Sequence, residues 1–203
     1  MNFVKIKLLV IAVIMFAASS AFASFSYDVT VDTSSLNGTN GYLYFAYMTG
    51  TNNTPSTASV QSFGTDGSLG ATAMGWDANS GQYVTGVLPT TVSFTNGTNM
   101  VNDLNQATTF GNVFQFTLVL PDSTSATSGS TFALQLFSDS MGMSPLKTAD
   151  GTLFTANLNG DGTVSLTVSD AGTQATETPI PAAAWLFGSG LMGIAGIRRK
   201  KNA

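Results

Sequence analysis

Asn157-Leu158-Asn159-Gly160-Asp161-Gly162 is the stretch whose spacing comes nearest to metal chemistry. Oxygen-bearing side chains at alternate positions can converge on a hard cation, and glycine permits the sharp turn such a loop needs. Asn157, Asn159 and Asp161 are therefore the candidate calcium ligands. The position where a calcium loop carries its bidentate carboxylate holds Val168, which cannot supply one. The same residues also read as an ordinary hairpin turn between two strands, and no other cofactor is expected.

Two further chemistries need neither His nor Cys. A pair of carboxylates can hydrolyse a glycoside, and Asp28, Asp66, Asp77, Asp103 and Asp139 are available for it. Nothing in their spacing selects a pair, so a hydrolase is the least favoured reading and no catalytic residue is expected. Flat aromatic rings can instead stack on sugars, and Tyr42, Tyr44, Tyr47, Trp76 and Tyr83 offer them. Trp76 beside Asp77, in a glycine-rich stretch, is the best single candidate for glycan contact. Aromatic residues also populate strands for packing alone, so both readings stay open.

The chain of 203 residues contains no Cys and no His. This excludes disulfides, thiolate chemistry, His-based triads and the usual zinc or haem ligands. Of seven Lys and Arg residues, Lys5 and Lys7 open the chain, and Arg198, Arg199, Lys200 and Lys201 close it. Between them stands Lys147 against all eleven acidic residues, so the middle of the chain carries a formal charge of 1 − 11 = −10. A nucleic-acid partner is excluded by that balance.

The ends carry the strongest patterning. Lys5 and Lys7 precede an apolar run from Leu8 to Ala18, followed by Ala21-Phe22-Ala23. Basic start, short apolar run and small residues at −3 and −1 are what a secretory signal peptide needs, which predicts cleavage after Ala23 by signal peptidase. At the other end, Thr178-Pro179-Ile180-Pro181 precedes an uncharged apolar run from Ala182 to Ile197, then Arg198-Arg199-Lys200-Lys201. A helix over that run reaches ~24 Å against a hydrocarbon core of ~30 Å, and snorkelling cations cover part of the gap. The positive-inside rule keeps the basic cluster in the cytoplasm and puts the acidic middle outside.

Pro179-Ile180-Pro181-Ala182-Ala183-Ala184-Trp185-Leu186-Phe187-Gly188-Ser189-Gly190-Leu191, continuing to the four terminal cations, resembles a PEP-CTERM sorting signal, closest to the VPLPA type. The resemblance covers about the last 26 residues. It implies a Gram-negative host that makes exopolysaccharide, transient anchoring in the inner membrane, and processing by an exosortase. Pro179, Ile180 and Pro181 correspond to the proline motif, with Ile180 where the founding pattern has Glu. The product is then expected at the cell surface or in the exopolysaccharide matrix. Gly188, Gly190 and Gly193 also match a dinucleotide-binding spacing, but no strand precedes them and the run is apolar throughout.

What must position the candidate groups is an all-β domain. Phe25 to Asp32 alternates apolar and polar residues without a break. Further strand signals run over Tyr42 to Met48, Ala58 to Phe63, Gln82 to Leu88, Thr91 to Thr95, Val113 to Leu120, Thr131 to Ser138, Leu153 to Leu158 and Thr163 to Val168. Asn37-Gly38, Asp66-Gly67, Asn96-Gly97 and Asp150-Gly151 punctuate them. About nine short strands with little helical periodicity predict a single β-sandwich, jelly-roll-like, with Phe114, Phe116, Leu118, Leu120, Phe132, Leu134 and Leu136 at its centre. The organisation expected is a signal peptide over 1–23, the sandwich over 24–169, a polar linker over 170–178 and the sorting signal with its transmembrane helix over 179–203. The opening segment from Phe25 to Leu43 also resembles uncharacterised ectodomains that accompany such tails. The favoured function is a non-catalytic exported surface or matrix protein, with an extracellular carbohydrate-binding module as the alternative and exopolysaccharide as the partner in either case.

Overall fold

The alternation of the first strand survives into three dimensions. In the computed structural model β1 (Phe25–Asp32) buries Tyr27, Val29 and Val31 and exposes Asp28, Thr30 and Asp32. The structure describes residues 24–178 except 51–53, 75–82, 97–100 and 125–126. Eleven more strands follow: β2 (Asn40–Met48), β3 (Ser56–Thr65), β4 (Ser68–Met74), β5 (Val84–Thr85), β6 (Val92–Asn96), β7 (Val101–Thr109), β8 (Val113–Leu120), β9 (Thr131–Phe137), β10 (Thr152–Leu158), β11 (Val164–Val168) and β12 (Thr173–Glu177). They form two six-stranded sheets, β12-β1-β8-β3-β6-β5 and β11-β10-β9-β2-β7-β4. Every pairing between these neighbours is antiparallel.

The sheets close on each other through aromatic rings. Phe45 of β2 meets Phe116 of β8 edge-on at 5.5 Å, and Phe132 of β9 meets Phe94 of β6 edge-on at 5.9 Å. Phe154 of β10 lies 6.2 Å from Phe132 and 6.5 Å from Phe116, so one aromatic cluster spans both layers. All seven residues expected at the centre are buried. Such β-sandwich packing works because each strand turns one side chain in two toward the partner sheet.

Three elements differ from the sequence expectation. β4 and β7 fall where no strand signal stands, and β12 occupies most of the segment expected to be a polar linker. β7 carries polar residues on its inward face, Asn102, Gln106 and Thr108 beside Leu104, so it shows no apolar alternation. Gln106 is tolerated there because of a bulge in β4 between Leu69 and Thr72. Its amide donates to the Gly70 and Ala107 carbonyls at 2.9 Å each and accepts from the Thr72 hydroxyl at 2.5 Å. The bulge takes a carbonyl off the ladder and the glutamine satisfies it. β12 reads TQATE, with only Thr173 buried, and still pairs with β1 from Tyr27↔Glu177 to Val31↔Thr173. Backbone pairing along an edge strand needs no apolar side chains. The run expected over Gln82 to Leu88 contributes, in its described part, the two-residue β5.

Candidate functional site

Several expected site residues lie outside the described residues: Ala21 and Ala23, Trp76 and Asp77, Pro179, Ile180 and Pro181, and Arg198, Arg199, Lys200 and Lys201. Among the described residues no helix is long and apolar enough to cross a membrane.

The candidate calcium ligands sit on the β10–β11 hairpin, and each is engaged in holding it. Asn157, in β10, accepts a 2.6 Å hydrogen bond at Oδ1 from the Thr131 hydroxyl of the neighbouring strand. The Asn159 amide donates to the Thr163 and Ser165 hydroxyls at 2.9 and 2.8 Å. Asp161 Oδ1 accepts from the Thr163 amide and hydroxyl at 3.0 and 2.5 Å. Gly160 takes φ +80°, and a side chain there would run into Ser128, its Cβ falling 2.6 Å from that residue's. This is turn chemistry of the Asx type, in which a short side chain replaces a backbone partner. Among the described residues no three His, Cys, Asp or Glu side chains are grouped to hold a metal ion.

The acidic residues considered for hydrolysis occupy different elements. Asp28 lies on the exposed face of β1 and accepts from the Thr117 hydroxyl at 2.9 Å. Asp66 holds the β3–β4 turn against the start of β8: it accepts from the Val113 amide and the Asn112 side chain, each at 2.9 Å. The Val113 bond, then those of Asn112, hold its carboxyl below the usual range. Asp139 caps the loop after β9, accepting from the amides of Met141, Met143 and Ser144 at 2.8, 3.2 and 2.6 Å. Partial burial pushes that carboxyl up, but the three amides outweigh it and the net direction is down. The hydrogen bond from the Thr163 hydroxyl, larger than the desolvation that opposes it, brings exposed Asp161 down as well. Asp66, Asp139 and Asp161 act as staples in turns, each held ionised by the donors it organises.

The aromatic residues divide by strand parity. Tyr47 faces inward, fully buried, with its hydroxyl 2.8 Å from that of Ser56. Tyr42 and Tyr44 lie on the outer face of the β2 sheet, and Tyr83 precedes β5 at the surface. Tyr44 stands edge-on to Phe137 with ring centroids 6.2 Å apart. Together with Gln135, Met141, Met143 and Asp150 the pair lines a groove of ≈ 320 Å³ on that outer face. Met141 and Met143 are 58 and 78 % exposed, held by the Asp139 staple directly beside the groove.

Next to Tyr44 on the same face, across β2 and β7, the register sets Ala46 opposite Asp103 and Tyr44 opposite Asn105. Asp103 is fully buried, and neither carboxylate oxygen has a hydrogen-bond partner. Asn105 donates from its amide to the Ser140 carbonyl at 2.8 Å, while its Oδ1 is buried and unpartnered. Burial first, then the Asp103 carboxylate, push the Tyr44 phenol well above its ordinary value. The phenol therefore stays protonated, a donor facing the Asp103 carboxylate. In the sequence Tyr44 and Asp103 stand far apart, one suited to stacking and the other to hydrolysis. Their juxtaposition with Asn105 depends on the β2–β7 pairing, which was not legible because β7 gave no strand signal.

With this geometry in hand, comparison with family models, with curated proteins and with solved structures finds no match to the chain.

Proposed function

We propose that the chain is an exported, non-catalytic protein of the cell surface or exopolysaccharide matrix, anchored briefly in the inner membrane and released from it by an exosortase. The observation that carries this reading is the agreement between the folded unit and the two processing motifs. One compact unit runs over Ser24–Thr178. Its first residue follows Ala23 of the signal-peptidase motif, and its last precedes Pro179 of the sorting motif. A domain bounded on both sides by residues suited to cleavage fits delivery as a trimmed ectodomain. The absence of His and Cys from the sequence and the use of Asp66, Asp139 and Asp161 as turn staples support a role without catalysis.

The topology supports a jelly-roll reading of the sandwich. In an eight-strand jelly roll formed by two Greek keys, the first strand pairs with the eighth, the second with the seventh and the third with the sixth. β1 with β8, β2 with β7 and β3 with β6 follow that nesting, while β5 pairs with β6 instead of β4. β9 to β11 and β12 then extend the two sheets.

Intact mass of the protein from a host that makes the exosortase is expected to begin at Ser24 and end near Pro179 to Ala182. In a host lacking that enzyme the amino terminus stays the same and the carboxyl-terminal segment is retained. A carboxyl terminus that does not change with the enzyme overturns the sorting reading.

A second reading, a carbohydrate-binding module, is favoured by the groove beside Tyr44 and Phe137. An edge-on aromatic pair, two exposed thioethers and the amide of Gln135 suit the apolar face and hydroxyl rim of a neutral sugar. The formal charge of −10 between the ends disfavours an acidic polysaccharide. If this reading holds, Tyr44→Ala weakens binding of the mature protein to neutral exopolysaccharide by about tenfold, a stacking contribution of ~1–2 kcal/mol. Equal retention of the variant and the native protein in affinity electrophoresis with that polysaccharide sinks it.

A further inference from the structure

The segment between domain and sorting motif is a strand of the sheet, and this constrains how the motif can be reached. β12 lies at the sheet edge against β1, with Tyr27↔Glu177, Asp28↔Thr176 and Thr30↔Gln174 in register. The pairing runs to the end of the unit, where the Thr178 amide donates to the Ser26 carbonyl at 2.8 Å. Pro179 is the next residue. With β12 zipped, the whole Pro179-Ile180-Pro181 motif lies within roughly 10 Å of chain from the sheet, at ~3.4 Å per extended residue. An enzyme that cuts at that motif must therefore engage the chain within three residues of the last paired position of β12.

The strand is built so that its outer end can leave and its inner end cannot. Thr176 and Glu177 are exposed, Ala175 is half-buried, and only Thr173 is buried. At the base, the Thr173 hydroxyl donates to Asp170 at 2.8 Å, and Asp170 pairs with Lys147 at 3.3 Å. Lys147 also donates to the Asp32 carbonyl of β1, and the Asp32 amide donates to the Gly172 carbonyl at 2.9 Å. Local opening starts where few apolar contacts hold a segment, and it stops at the first fixed point. Freeing residues 174 to 178 adds roughly 17 Å of reach and leaves Thr173 and the Lys147–Asp170 pair in place.

Resting on the sorting reading, we infer that β12 is a releasable clasp: it unzips from β1 to present the Pro179-Ile180-Pro181 motif to the exosortase, and the fold thereby sets the rate of processing. While clasped, the chain is withheld from cleavage. A partner that adds to or binds the β1 edge would hasten processing by holding β12 away.

The test is made on the full chain in a host that holds the enzyme. Asp28→Cys with Thr176→Cys staples the clasp, because directly opposed residues of a hydrogen-bonded antiparallel pair have Cα atoms ~5.5 Å apart, within disulfide range. The oxidising exterior of the cytoplasmic membrane forms the bond. The stapled chain is expected to lose processing by about tenfold or more relative to an Asp28→Ser, Thr176→Ser control, following the loss of the open population. A Gly/Ser spacer as long as β12, inserted between Thr178 and Pro179 of the stapled chain, restores processing. Undiminished processing of the oxidised chain overturns the clasp while leaving the sorting reading intact. Failure of the spacer to restore it also overturns the clasp, since the staple then acts by some route other than reach. If the serine control itself is not cut in an enzyme-dependent way, the sorting reading falls and takes the clasp with it.

Discussion

Phe132→Ala is expected to cost the sandwich about 3–5 kcal/mol, enough to remove a large part of the ~5–15 kcal/mol that holds a domain of this size. Phe132 is fully buried and lies within 6.4 Å, ring centroid to ring centroid, of Phe45, Phe94 and Phe154. Those three rings come from two strands of its own sheet and one of the other, so no single neighbour can move in to fill the gap without leaving another. The loss therefore contains both the transfer term of the ring and a cavity term. Urea unfolding of the mature domain measures it, and the midpoint should fall while the slope stays constant. Val168→Ala supplies the reference: Val168 is 45 % exposed, and its truncation should stay within about 0.5 kcal/mol. Equal midpoints for the two variants would show that the aromatic cluster does not carry the packing of the two layers.

The same contrast explains which parts of the fold were legible. In β1, β8 and β9 every second residue is apolar and meets the facing sheet, so hydrophobic period and structure coincide. β7 breaks that rule because two of its neighbours supply what its own side chains lack. β2 gives Leu43, Phe45 and Tyr47 to the core alongside it, and the β4 bulge gives Gln106 its polar partners. An inward Gln looks like a loop residue until the carbonyl it satisfies is known. β12 was hidden for a different reason. Thr-Gln-Ala-Thr-Glu has the composition of a linker, and only the open edge of β1 makes it a strand.

Site residues follow the same division. Asn159 and Asp161 were legible as a turn because their hydrogen bonds reach two to six residues along the chain. The placing of Asp103 beside Tyr44 joins residues 59 positions apart and depends wholly on register, as does the burial of both Asp103 oxygens without donors. A one-residue slip of β7 would send that carboxylate to the other face of the sheet. The residue types at that place are visible in the sequence, but the register that brings them together is not.

Lys147 gives the second large effect. It is the only Lys or Arg between residues 24 and 178, and its ammonium is spent on closing the fold. Both it and Asp170 keep only 10 % of their side-chain surface, and the ammonium bridges that carboxylate to the Asp32 carbonyl of β1. Lys147 adopts φ +68°, a left-handed conformation that costs a non-glycine residue on the order of 1–2 kcal/mol. The bridge must offset that cost. Lys147→Met keeps the stem and the backbone strain but strands the Asp170 charge, so the expected loss is about 3–5 kcal/mol. Adding Asp170→Asn removes the stranded charge while leaving an acceptor for the Thr173 hydroxyl, and should restore more than half of the loss. Urea midpoints for the two single variants, the double variant and the native domain close the cycle. A double variant no more stable than Lys147→Met alone would mean that the lysine works through its contact with Asp32 and its packing, and that the ion pair is incidental. Amide exchange across 173–177 separates the local part of the effect from the global part. Those amides should lose protection in Lys147→Met by more than the amides of β8 do, because the base of β12 is where the ammonium holds.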